Sequence, residues 1–217
     1  MKKLLFVVIF FLLAILSRAE GFGIYVGGKL GYQTTKLSAA RVDINAGLNE
    51  HMVLGGFGRF VIKNVVIQPE MMLFSTSQIF DLNGTDATHL NISVETEQQS
   101  LAMPLMFGYQ FFDQSLVKVR ATAGLVMYYV LGQNNQNNYN NQDLDIKANN
   151  ITWGSALSVG VDFMMFTFDI SYSFGLTNIV EREIVEIGGH NFVLDNTRQN
   201  FFTVTVGVKL FNYIYEE

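Results

Sequence analysis

No cysteine occurs among the 217 residues. That excludes a disulfide scaffold, a thiolate metal site, a cysteine nucleophile and a lipidated cysteine. Charge is scarce as well: 15% of residues are Asp, Glu, Lys or Arg, against a usual ~25%. The 14 basic and 19 acidic residues leave a net charge of −5, so nucleic acid is not an expected partner. Only 2 prolines are present. Beyond the first nineteen residues, no apolar run approaches the ~18 residues of a membrane-crossing helix. What the chain has in quantity is apolar material (49%), aromatic rings (13%) and 19 glycines, enough for one sizeable domain.

The first nineteen residues read as an address. Lys2 and Lys3 precede an unbroken apolar run of thirteen from Leu4 to Leu16, and Ser17-Arg18-Ala19 places small residues at −3 and −1 of a cut before Glu20. This predicts a secretory signal peptide over 1–19 and a mature domain over 20–217; the apolar core is too short for a spanning helix. The mature chain would keep 11 basic and 19 acidic residues, a net of −8. An exported chain without cysteine suits a bacterial envelope better than a eukaryotic secretory route.

Downstream, the recurring pattern is two-residue alternation. In Phe166–Thr177, Phe166, Phe168, Ile170, Tyr172, Phe174 and Leu176 share one phase and Thr167, Asp169, Ser171, Ser173, Gly175 and Thr177 the other. Successive side chains of a strand point to opposite faces, so this segment separates an apolar surface from a polar one. Val117–Tyr129, Ile151–Val161 and Phe202–Leu210 repeat the pattern, and Phe22–Tyr32, Met52–Ile62, Val65–Ser75 and Gln99–Phe111 do so less cleanly. Eight strands of roughly ten residues follow, the length that crosses a bilayer when tilted.

Connections alternate in length. Lys63-Asn64, Phe112–Gln114 and the segment around Phe163-Met164 are tight turns, whereas Gln33–Asn49, Ile79–Glu97, Val130–Asn150 and Ile179–Asn200 are long and polar. The third long stretch holds the low-complexity run Gln133–Asn138, which has no means of building a core. Short turns on one side and long loops on the other describe an up-and-down meander, with both termini on the short-turn, periplasmic side of an outer-membrane barrel. The alternative is a soluble, lipocalin-like barrel with its apolar face inward. Side-chain volume decides against it. The polar phase is small and glycine-rich, as a crowded bore requires, and the apolar phase is bulky, as a lipid-facing wall allows. Tyr32, Phe111, Phe112, Tyr128, Tyr129, Trp153, Phe201 and Phe202 cluster near strand ends, where interfacial girdles are expected.

The same phasing sends Lys29, Arg59, Glu70, Lys118, Arg120, Asp169 and Lys209 into the lumen. Five cations and two anions do not pair one to one, so water, an anion or loose packing would have to compensate. A hydrogen-bonded polar plug is the main expectation, and a narrow, anion-preferring pore is the alternative. His51, His89 and His190 all fall on the long-loop side, but no Ser/His/Asp constellation and no short metal-ligand spacing accompanies them. Neither enzymatic activity nor a cofactor or metal is therefore expected, with a lipid-modifying outer-membrane enzyme as the more distant alternative. The long stretches 33–49, 79–97, 130–150 and 179–200 carry more acid than base. That suits divalent cations bridging to lipopolysaccharide, or a protein or cell-surface partner.

Three stretches resemble a known family. Gln68-Pro69-Glu70-Met71-Met72-Leu73-Phe74-Ser75, Leu101-Ala102-Met103-Pro104-Leu105-Met106-Phe107-Gly108-Tyr109 and Asp169–Ile179 (DISYSFGLTNI) are similar, in order and spacing, to the third, fourth and seventh strands of PorT-like outer-membrane β-barrels, common in Bacteroidota. The resemblance implies prolines within strands and hence local bulges at Pro69 and Pro104. The end departs from that pattern, because Phe211 falls on the polar phase and Asn212–Glu217 follows it. The expectation is thus an all-β, eight-stranded antiparallel up-and-down transmembrane β-barrel in the bacterial outer membrane. It would be monomeric, plugged by polar groups, and would present four loops at the cell surface.

Overall fold

The computed structural model describes residues 22–39, 49–83, 91–113, 116–137, 149–178, 183–187, 190–194 and 197–215. The signal peptide expected over 1–19 lies outside them. Strands β1 (Phe22–Ala39), β2 (Asn49–Ile62), β3 (Val65–Asn83), β4 (Asn91–Asp113), β5 (Val117–Asn137), β6 (Ile151–Phe163), β7 (Phe166–Gly175) and β10 (Thr197–Tyr215) close into one antiparallel barrel in which β1 pairs with β10. Between β7 and β10, β8 (Glu183–Ile187) and β9 (His190–Leu194) form a separate hairpin. Closure leaves no free edge along the wall, the condition for a sheet in hydrocarbon.

Register fixes both the tilt and the faces. Starting at Phe22, partners run through Ile62, Val65, Tyr109, Ala121, Val159, Ile170 and Val204 and return to β1 at Tyr32, ten residues further on. Over eight strands that stagger tilts each strand by roughly 40°. Directly paired residues share a face, and every residue on this circuit is apolar and at least partly exposed. Along β7 the alternation is complete at its start: Phe166, Phe168 and Ile170 are 42–55% exposed while Thr167 and Asp169 are 0% and 6%. The apolar face is therefore outside and the polar face within, which rules out the lipocalin arrangement.

Most strands are longer than the expected ten residues. β1, β3, β4 and β5 run on into the stretches expected as loops, and Gln133–Asn137 of the low-complexity run form the top of β5, paired with Val94–Gln98. Hydrophobic alternation marks a strand only where one face meets lipid. Above the membrane both faces meet water, so the ladder continues without that signal. The long stretch 179–200 likewise contains β8, β9 and the start of β10.

The bulges expected at the prolines are absent. The β2–β3 ladder omits Gly58 and Arg59 opposite Gln68 and Pro69, and the β3–β4 ladder omits Glu70 and Met71 opposite Pro104 and Met103, but neither register shifts. Each proline removes a donor, and the tilted wall absorbs the loss as a short gap. Bulges do occur elsewhere, between Gln99 and Ser100 and between Gln110 and Phe112 in the β4–β5 ladder, and once in the β1–β10 ladder. Val26 pairs with Phe211 but Gly27 with Lys209, which makes Leu210 an extra residue on β10. It resets the phase, so Phe211 and Tyr213 turn outward, and the apparent misplacement of Phe211 disappears.

Candidate functional site in the lumen

Two of the expected girdle residues are inside the bore. Tyr32, Phe111, Tyr129, Trp153 and Phe202 are exposed, but Tyr128 and Phe201 are buried. Adjacent strand residues cannot face the same side, so Tyr129 and Phe202 outward force Tyr128 and Phe201 inward. The side chain of Phe112 lies outside the described ones. The lumen is accordingly a stack of layers rather than a uniformly polar plug.

Nearest the short turns, Tyr25, Phe57, Val61 and Val66 form a buried apolar floor. Above it lies a charged layer. Arg59 donates from Nη1 to Asp162 Oδ2 (2.5 Å), from Nε to Gln68 Oε1 (2.5 Å) and from Nη2 to Thr167 Oγ1 (3.3 Å). Arg120 donates to Asp162 Oδ1, to Asp169 Oδ1 and to Thr167 Oγ1, the last at 2.8 Å. Lys29 Nζ pairs with Glu70 Oε1 at 2.6 Å and Asp169 Oδ2 at 2.8 Å, and Gln68 Nε2 donates to Glu70. The ring of Phe57 receives Lys29 and Arg59 at 5.1 and 5.0 Å, so part of the cationic charge rests on a π-face. Gly160 makes room for this layer: a Cβ there would run into the Asp169 carboxylate and the Arg120 guanidinium.

Lys29, Arg59, Glu70, Arg120, Asp169 and Lys209 thus meet in one network. Lys118 stands at the foot of β5, half-buried, opposite Asp113 and Asp162 in register. The charge imbalance expected from the sequence is smaller than it looked, because Asp162 is a third buried acid. Its position, in phase with Gly160 and one residue past the expected end of the strand at Val161, was the available signal. Three fully buried cations (Lys29, Arg59, Arg120) then face three acids (Glu70, Asp162, Asp169). Lys209 reaches Asp162 Oδ2 only at 3.5 Å and rests over Tyr25 at 5.4 Å. Its ion pair is long, and Asp162 keeps both arginines without it. Replacing this buried ammonium by an apolar chain of similar length should be near neutral, and Lys209→Met should change the unfolding free energy by less than ~1 kcal/mol, as measured by urea titration of the refolded barrel.

Above the charges, Phe74, Tyr128 and Phe201 stack edge-on and tilted, with centroids 5.1–6.3 Å apart. Val53, Met72, Met106 and Val126 pack with them. Between the two layers is a chamber of about 40 Å³ bordered by Lys29, Gln33, Glu70, Tyr128, Asp169 and Thr203 among others, roomy enough for a small cluster of waters. Of the histidines, His51 is half-buried in β2 and His190 is in β9, while His89 lies outside the described residues. Among the described residues no group of three His, Asp or Glu is arranged to hold a metal.

A family model described as outer membrane protein beta-barrel domain matches residues 20–181. A comparison with curated proteins found no match. Among solved structures, the outer membrane protein OprG from Pseudomonas aeruginosa superposes with a TM-score of 0.51 at 13% identity, covering 92% of this chain and 97% of that one. The attachment invasion locus protein Ail of Yersinia pestis gives 0.42 at 10% identity over 89% and 99%. Outer Membrane Protein W of E. coli gives 0.41 at 20% identity over 88% and 98%.

Proposed function

The chain belongs to the outer membrane protein beta-barrel domain family, and on that footing we propose that it is a closed surface anchor, a barrel that holds its outer loops in place for binding. Its site of action is the outer membrane. The observation that carries the closed reading is the double obstruction of the bore. The Arg59–Asp162–Arg120 layer and the Phe74–Tyr128–Phe201 layer both lie across the bore of an eight-stranded barrel, whose interior is only wide enough for side chains, and this supports a closed lumen. Among the described residues, the buried charged groups of this layer pair with one another, which supports a structural rather than a conducting role for it. Within the family we place the chain with the PorT-like barrels, as a monomer with periplasmic termini and its long connections outside. There they meet lipopolysaccharide and a cell-surface or protein partner.

The competing reading is a narrow anion-preferring pore. It has the small chamber in its favour, but the chamber lies between the charged and the aromatic layers. The purified full chain in planar bilayers is expected to show no steady conductance; reproducible, ion-selective steps would overturn the closed reading.

A further inference from the structure

Outside the bore, the barrel wall carries a hollow of about 260 Å³ bordered by Thr34 of β1, Tyr172 of β7, and Asn200 and Phe202 of β10. Unequal strand lengths create it. β1 and β10 remain paired up to Ala39 and Thr197, whereas β7 stops at Gly175 and its ladder with β10 ends at Ser173 and Phe201. Beyond that point the ladder gives way to single contacts, and the N–H groups of Leu176 and Thr177 donate to Trp153 O on the β6 side at 2.8 and 3.2 Å. On the outward face of β10, Phe202 still faces Tyr172 in register, and above it Asn200 has only the single Gly175 N–H contact in place of a ladder.

The hollow has an apolar wall and a cationic brim. Phe202 is exposed, and Tyr172 is braced by Phe174 with ring centroids 4.6 Å apart. Asn200 accepts the Gly175 N–H at 3.2 Å. Arg198, two residues further up the same face of β10, is exposed, and its Nε donates to Asn178 Oδ1 at 3.3 Å. That contact orients the guanidinium, and none of the ion pairs among the described residues uses it.

We infer that this hollow seats an anionic glycolipid of the outer leaflet, with one acyl chain against Tyr172 and Phe202 and a headgroup phosphate on Arg198. A planar guanidinium matches a phosphate bidentately. An apolar notch in a wall otherwise facing fluid chains holds one chain in place, with Thr34 at its polar border. The inference rests on the orientation proposed above, with the long connections outward; reversed, the same hollow would face inner-leaflet phospholipid.

The test is native mass spectrometry of the detergent-purified full chain, incubated with diphosphoryl lipid A, dephosphorylated lipid A or phosphatidylglycerol. One diphosphoryl lipid A per barrel is expected, retained about tenfold better than the dephosphorylated form, as one charge-assisted phosphate contact allows. Arg198→Gln should reduce retention to the dephosphorylated level. Phe202→Ala should reduce retention of both forms, and Leu125→Ala, on the lipid face of β5, should change neither. Heat-modifiable gel mobility verifies that each variant is folded; should Phe202→Ala not fold, Arg198→Gln and the dephosphorylated lipid decide. Equal retention of the two lipid A forms, or no effect of Arg198→Gln, would overturn the seat. A preference for phosphatidylglycerol that still depends on Arg198 would instead overturn the glycolipid and the orientation together.

Discussion

Asp162→Ala should destabilise the barrel by at least ~3–5 kcal/mol, the cost of breaking a buried ion pair by removing one partner. The carboxylate serves two arginines at once, Arg59 on Oδ2 and Arg120 on Oδ1, and Lys209 more distantly. Arg59 and Arg120 are 0% and 2% exposed, and both also lean on the Thr167 hydroxyl. Without Asp162, two buried guanidinium groups would face each other across the Thr167 hydroxyl oxygen. Asp162→Asn keeps the shape but loses the charge and points an amide N–H₂ at donors, so it should be nearly as damaging. The diagnostic variant is the pair Asp162→Ala with Arg59→Met, which removes the repulsion along with the attraction. It should recover more than half of the single-variant loss, because residues in one network are not additive. Urea midpoints of the refolded barrel in vesicles measure all three. Additive effects would mean that Asp162 and Arg59 act independently.

The barrel was legible in the sequence wherever one face of a strand meets lipid and the other is small. Phe166–Thr177 and Phe202–Leu210 show this plainly, and there the phase predicted the faces. The four strands with weaker alternation, β1 to β4, are informative in hindsight. Val53 and Phe57 on β2, Met72 and Phe74 on β3, and Ala102 and Met106 on β4 are inward and apolar. These residues blurred the period-two signal because they build the floor and the aromatic layer. A mixed face was thus the trace of an apolar plug, but composition alone cannot distinguish it from noise. Asp162 leaves a weaker trace, because it is the penultimate residue of β6, where the alternation runs out into the turn. The bulge at Leu210 was hidden because one inserted residue inverts the phase without any compositional mark. Upper strand segments such as Gln133–Asn137 were invisible because pairing in water needs no apolar face.

The outward face admits an equally direct trial. Arginine in place of Ile170 should cost ~2–4 kcal/mol, the penalty for a cation on the lipid face near the bilayer midplane, whereas arginine near an interface costs ~0–1 kcal/mol. Ile170 is the fifth residue of the ten in β7, is 55% exposed, and is flanked by Val159 and Val204 in register. Asp169, the adjacent acid, is buried on the opposite face and is not available to an arginine there. Tyr213 provides the shallow comparison. It lies past the end of the β7–β10 ladder, pairs with Ile24 near the start of β1, and is also outward. Unfolding in vesicles should therefore rank Ile170→Arg far below Tyr213→Arg, and in detergent, where chains rearrange around a charge, the gap should narrow. If both variants unfold at the wild-type midpoint in vesicles, the belt through Ile170 does not contact hydrocarbon. Eight strands of bulky side chains would then be facing water, where their exposed area opposes folding as a monomer. The size of the difference between the two positions thus measures how deeply the wall is immersed.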